Sequence, residues 1–247
     1  MQRFLVFLLM LWHVAFNATA NTVVSLYTEH MPPYNYQQDN KVEGINAELI
    51  RQLCQRVQLD CQMVVLPWRR AFENAQQQQM SGVFSTARSE QRESLFRWVG
   101  PIASDWGYVF RLKGRTEVNP VNLEQAKNFK LAVARADVYE SYFRYHGFEY
   151  GRNMVDFATK SEPLPLFMAK RIDLLVGSKR SLRSWLRDNE LPEDSAEPLF
   201  QLHDVGDNYL ALNLDFPADL AFQLQQELEL MRQQGVIEAL IQQYTAQ

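Results

Sequence analysis

From Asn21 to the C-terminus, short runs of β-branched, aromatic and aliphatic residues alternate with segments whose apolar residues recur every three or four positions. Such alternation is the signature of a layered α/β architecture, in which helices pack back on a sheet, and it predicts mainly parallel strand pairing. The strand candidates are TVVSLYT (22–28), QMVVL (62–66), GVFST (82–86), GYVFRL (107–112), FKLAVA (129–134), IDLLVG (172–177) and NYLALN (208–213). Between them, Ile45, Leu49, Leu53 and Val57 share one helical face. Pro67 suits a first helical position ahead of WRRAFENAQQQ, and Asp137 suits the N-cap of VYESYFRYH. Leu220, Leu224, Leu228 and Met231 mark a long amphipathic helix, and Gly235 separates it from a last helix ending near Tyr244.

A polar stretch from Lys113 to Asn128 interrupts the alternation, which then restarts, as at a boundary between two lobes. The expected organisation is a first lobe of residues 21–110 completed by 207–247, and a second lobe of 111–206. If strand 208–213 returns to the first lobe, the chain crosses between lobes twice, which builds a hinge around a ligand cleft.

Residues 1–20, MQRFLVFLLMLWHVAFNATA, carry Arg3, an apolar stretch from Phe4 to Phe16 and the small-residue ending Ala18-Thr19-Ala20. That pattern is a secretory signal cleaved after Ala20, and the apolar stretch, interrupted by His13, is shorter than the roughly 20 residues of a spanning helix. No cysteine follows the cleavage point to accept a lipid, so the mature chain is expected free in the periplasm. Export gives Cys54 and Cys61 an oxidising compartment in which to bridge, stapling a helix to the strand after it; two buried thiols are the alternative.

With 25 basic against 29 acidic residues and a net charge of −4, the chain lacks the basic footprint of a nucleic-acid binder. His30, His146 and His203 form no zinc-type spacing with the two cysteines, so neither a metal nor another cofactor is expected. The glutamine tract Gln76–Gln79 is read as a solvated helix end.

Four segments, YTEHMPPYNY, KVEGINAELIRQLCQRV, LPWRRAFENA and STARSEQRESLFRWVGPI, together with the ending VIEALIQQY, resemble the periplasmic solute-binding proteins of family 3, which serve polar amino-acid import. The resemblance spans the mature chain and implies two α/β lobes joined by two hinge strands, closing as a monomer on a small molecule. It also implies a partner: an inner-membrane ABC permease or a membrane sensor.

Ser85 and Thr86 end a strand and Ser89 can cap the turn beyond, so hydroxyls, backbone N–H groups and Arg92 can converge on an anion. The family places a carboxylate-binding arginine at the position of Arg92; the alternative is a surface pair with Glu90 or Glu93. Ligands of open α/β sheets sit beyond the carboxyl ends of strands, which adds Glu29, Tyr34 and Trp68 in the first lobe and Arg135 and Asp137 in the second. Tyr34 and Trp68 are equally readable as core aromatics, and Asp137 as a cap alone.

Two departures separate the chain from the family pattern. A Gly-Lys-Val-Asp-like turn is replaced by Gln78, Gln79, Met80 and Ser81. The acid that holds a ligand's ammonium group falls near Gly177 or Ser178, neither of them charged, which leaves Glu29 and Asp137 as the available acids. Capture of a small polar, anionic or amino-acid-like solute is therefore the leading expectation. The competing one is a dehydratase of prephenate or arogenate type on the same fold, with Glu29 as general acid.

Overall fold

The computed structural model describes residues 22–103, 106–203, 205 and 207–245. The expected secretory signal lies outside the described residues, and no described helix is long and apolar enough to cross a membrane. The chain opens with β1 (Thr22–Thr28), a small hairpin of β2 (Tyr36–Gln38) and β3 (Lys41–Glu43), α1 (Ile45–Arg56) and β4 (Leu59–Val65). Next come α2 (Trp68–Gln77), β5 (Ser81–Ala87), a 3₁₀ helix at Glu90–Leu95 and β6 (Arg97–Val99). A second lobe follows as β7 (Gly107–Leu112), α3 (Leu123–Ala126), β8 (Leu131–Ala134), α4 (Val138–Tyr145), β9 (Met154–Phe157), α5 (Leu164–Met168), β10 (Leu174–Ser178), α6 (Lys179–Asp188) and β11 (Ala196–Leu202). The chain then returns as β12 (Asn208–Leu212), α7 (Ala218–Gln233) and α8 (Val236–Thr245).

Besides the β2-β3 hairpin, two five-stranded sheets result, ordered β4-β1-β5-β12-β6 and β11-β7-β10-β8-β9. Successive strand residues point to opposite faces, so each sheet feeds two cores. In the first lobe Leu26 and Leu210 pack toward α1, α7 and α8, while Tyr27 and Ala211 join Trp68 and Ala71 of α2. In the second, Val109 and Leu174 meet Phe143 of α4, and Phe110 and Leu175 meet Phe167 of α5 and Trp185 of α6.

Parallel pairing holds for β1 with β4 and β5, and for β8 with β9 and β10, but β12 and β7 run antiparallel to their neighbours. This corrects the expectation of mainly parallel sheets and has a simple cause. Strands of the βαβ units run toward the cleft and end there; a strand arriving from the other lobe starts at the cleft and runs away. Asn208 accordingly pairs with Ala87 and Gly107 with Ser178, each a first residue against a last one. Because β7 belongs to the second sheet, the chain leaves the first sheet between Val99 and Gly107, before the position 110 expected from the polar stretch. That stretch, which holds α3, lies inside the second lobe.

Strands β2, β3, β6, β9 and β11 and helices α3, α5 and α6 are additions to the sequence-based expectation. Pro198 sits at a register shift in β11, an edge strand, where a missing N–H is tolerated. Gly44 precedes α1 at φ 117°, and a Cβ there would stand 2.5 Å from the Tyr34 carbonyl oxygen. That close approach lets Asn46 and Ala47 donate backbone N–H groups to the same carbonyl at 2.9 and 3.3 Å, fixing Tyr34 against the helix start. Cys54 of α1 and Cys61 of β4 are bridged across a sequence separation of 7, with Cα atoms 6.1 Å apart. Closing so short a loop stabilises by about 2–3 kcal/mol on the chain-entropy account.

Candidate functional site

Between the lobes lies a small cavity of about 560 Å³ counted out to its mouth. Glu29, Tyr34, Trp68, Ser85, Thr86, Arg92 and Asp137 all line it. Arg135 does not: it points outward and pairs with Asp156 on the exposed rim. Its place just after β8 brings the backbone to the cleft, but the carboxylate at the end of β9 draws the side chain away.

The first-lobe wall is set by a kink in β5. Opposite β12 the register shifts so that Ser85 is left over between Phe84 and Thr86, a β-bulge, with Ser85 in the left-handed region at φ 61°. Its hydroxyl donates to Asn35 Oδ1 and accepts from Asn46 Nδ2 at 2.9 Å, while Asn35 Nδ2 donates to the Glu29 backbone carbonyl at 2.6 Å. Asn35, Asn46 and Ser85 are all buried and form a neutral network in which Asn46 Oδ1 is left without a hydrogen-bond partner.

Arg92 projects from the 3₁₀ helix into that wall. Its Nη1 donates to Thr86 Oγ1 at 3.2 Å and to the Ala87 carbonyl at 3.4 Å, and its Nη2 to the Ala136 carbonyl at 3.1 Å. The guanidinium lies 5.6 Å from the Trp68 ring centre and 5.1 Å from that of Phe72. Burial lowers its pKa, offset by the more distant charges of Asp137 and Glu29, yet an arginine stays charged at any physiological pH. The alternative surface partner Glu93 is taken by Arg88, and among the described residues no carboxylate is ion-paired to Arg92. The cleft thus holds a buried cation whose hydrogen-bond partners are all neutral.

The second-lobe wall meets it through Ala136, in the left-handed region at φ 58°, whose carbonyl also accepts from Trp68 Nε1 at 2.8 Å. Asp137 caps α4, its Oδ1 accepting from Tyr139 N at 3.0 Å. The expected absence of an acid near position 178 has a physical counterpart. Ser178 Oγ accepts from Ser181 N at 3.1 Å as the N-cap of α6, and a Cβ on Gly177 would stand 2.8 Å from the Trp185 ring. An indole fills that space.

Sequence reasoning missed Lys160. Its Nζ donates to Glu29 Oε1 at 2.7 Å and lies 2.9 Å from Asp137 Oδ2, with the side chain only 12% exposed, so one ammonium ties acids of both lobes together. Burial alone would lower its pKa; Asp137 and Glu29 outweigh that and hold it above the ordinary lysine value. Burial raises the Glu29 carboxyl, with Lys160 opposing. Lys160 follows β9, so the rule that yielded Glu29 and Asp137 would have reached it had MVDF been recognised as a strand. Tyr139, Ser178, Ser181, Trp185 and Asn208 also line the second-lobe and hinge side. Among the described residues no group of three or more His, Cys, Asp or Glu is placed to hold a metal ion.

The sequence profile of the bacterial extracellular solute-binding proteins, family 3, matches residues 23–247. Among solved structures, a histidine kinase sensor domain with similarity to periplasmic binding proteins superposes with a TM-score of 0.79 at 20% identity, over 91% of this chain and 96% of that one. An ancestral arginine-binding protein bound to arginine gives 0.78 at 16%, over 91% and 98%. The arginine-, lysine-, histidine-binding protein ArtJ of Geobacillus stearothermophilus gives 0.77 at 13%, over 92% and 96%. These likenesses show a shared fold. No curated protein sequence matches the chain significantly.

Proposed function

The chain belongs to the bacterial extracellular solute-binding proteins of family 3, and from that premise we propose that it is a periplasmic receptor capturing a small carboxylate-bearing solute in the interlobe cavity. One observation carries the reading: Arg92 is a buried guanidinium lining the cavity, hydrogen-bonded only to neutral oxygens. The burial of this cation is only partly offset by the charges of Asp137 and Glu29, neither of them ion-paired to it, and a ligand carboxylate in contact relieves the remaining cost through charge-assisted hydrogen bonds. Thr86 and Trp68 stand around the same point and supply a hydroxyl and an apolar face, while the Ser85 hydroxyl is already donated to Asn35. Delivery to an inner-membrane permease and reporting to a membrane sensor both suit such a receptor, since the similar folds include arginine binders and a kinase sensor domain.

A thermal-shift screen of small carboxylates, amino acids and short peptides should find the ligand class, because a ligand at 100 times its dissociation constant adds about 2.7 kcal/mol. Calorimetry then compares wild type and Arg92→Ala, each with the ligand carboxylate free and amidated. Charge-assisted hydrogen bonds contribute about 1.5–3 kcal/mol each, so Arg92→Ala should weaken binding about tenfold or more, and amidation should cost the variant little further. Equal affinity in all four combinations, or preference for a cation lacking a carboxylate, would refute the anchor. Prephenate and arogenate incubated with the protein should be recovered unchanged; turnover would establish the dehydratase reading, with Glu29 as its acid.

A further inference from the structure

The carboxylates of Glu29 and Asp137 converge from opposite lobes, both are buried, and both take the same ammonium, Lys160 Nζ, at 2.7 and 2.9 Å. Two buried carboxylates on one cation are what a receptor needs to hold an amine or a guanidinium, and such a pair left without a counter-ion could not keep both charges. Here the cation belongs to the chain itself, carried on the loop between β9 and α5. Its third N–H meets only the Met31 thioether, at 3.7 Å, a weak acceptor. Arg92, on the same cavity, has only neutral partners. The cavity's acids are therefore ion-paired from within, whereas its arginine feels those acids without being ion-paired to either.

We propose that Lys160 determines specificity: its ammonium fills the cation subsite made by Glu29 and Asp137, so the cavity takes small carboxylates that carry no ammonium and rejects the corresponding amino acids. The proposal rests on the reading of this cavity as the ligand site. An incoming ammonium would have to displace a tethered one already holding both acids, or sit beside it as a like charge.

The test is to remove the tether and return the cation. Lys160→Ala excises a piece equivalent to propylammonium. Millimolar n-propylammonium is expected to raise the melting temperature of Lys160→Ala and not of wild type, with an affinity for the variant at least about tenfold higher, while n-propanol has no effect on either. If Lys160→Ala does not fold alone, refolding it with propylammonium is expected to restore the native circular dichroism spectrum. Adding Glu29→Gln and Asp137→Asn to Lys160→Ala should abolish the response. In wild type, calorimetry with succinate against aspartate and glutarate against glutamate should favour the carboxylate without the amine by about tenfold or more.

Propylammonium that helps Lys160→Ala no more than propanol overturns the proposal. So does a wild-type protein that binds either amino acid as tightly as its amine-free partner. A propylammonium response in a protein whose wild type binds no carboxylate supports the Lys160 subsite while refuting the Arg92 reading.

Discussion

In the first-lobe wall of the cleft Asn35, Asn46 and Ser85 are positioned by hydrogen bonds between neutral groups, whereas the Lys160 cluster of the facing wall depends on charge. Asn35, Asn46 and Ser85 hold one another and the Glu29 carbonyl without any ion taking part. On the facing side Asp137 and Lys160 are paired, and Lys160 takes its other carboxylate, Glu29, from the first lobe. The neutral network lies within one lobe, so none of its hydrogen bonds depends on the facing lobe. The charged one is complete only when the lobes meet, so closure is part of what stabilises it.

Removing the ammonium should expose that difference most strongly. Lys160→Met keeps the bulk of the side chain but strands two buried carboxylates, and breaking a buried ion pair in this way costs about 3–5 kcal/mol at neutral pH. The deficit should shrink on acidification. Burial already raises Glu29 above its usual 4.5, and loss of Lys160 removes the larger of the two charges that oppose the rise, leaving Arg92. The folded variant therefore takes up a proton at a higher pH than its unfolded chain does, so stability returns as pH falls toward the carboxylate range. Urea denaturation of wild type and variant across that range measures it. A loss near zero, with a larger radius in solution scattering, would mean that the acids regain water by lobe opening.

Asn35→Ala addresses the neutral wall, with a smaller expected effect. It leaves the Glu29 carbonyl and the Ser85 hydroxyl without their partner in a buried setting, which costs about 1–3 kcal/mol. No titrating group is removed, so the loss should be the same at mildly acid and neutral pH. A pH-dependent deficit like that of Lys160→Met would erase the distinction between the walls.

The density of apolar residues, in either lobe, governs what the sequence made legible. Strands β1, β5, β7 and β12 stand out because each is a dense apolar run, and with them come Glu29, Ser85, Thr86 and Arg92 at or just beyond strand ends. Helix α6 is rich in arginine and lysine, and its buried Leu182, Trp185 and Leu186 are thinly spread among charges, so neither the helix nor its contribution to the cavity could be read. Strand β9 is four residues long and carries Asp156, and its obscurity hid Lys160. The antiparallel direction of β7 and β12 is a property of chain crossing, which no local pattern encodes. The pairing of Lys160 with Glu29 spans the cleft and depends on how two lobes meet.

The smallest effect is expected at Arg135, and it marks where the second-lobe wall ends. Arg135 lies two residues from Asp137 and shares its loop, so proximity in sequence argues for a ligand role. Its side chain is 64% exposed, it does not line the cavity, and its partner Asp156 is itself part exposed. Water and salt screen such a pair, and the Debye length of about 8 Å at physiological ionic strength limits its reach into the site. Arg135→Ala should therefore leave the melting temperature and the calorimetric affinity for a carboxylate ligand indistinguishable from wild type, at low and high salt alike. If affinity instead fell tenfold at low salt and recovered little at high salt, Arg135 would be turning inward on the ligand, and the charged wall would extend from Lys160 and Asp137 to the rim.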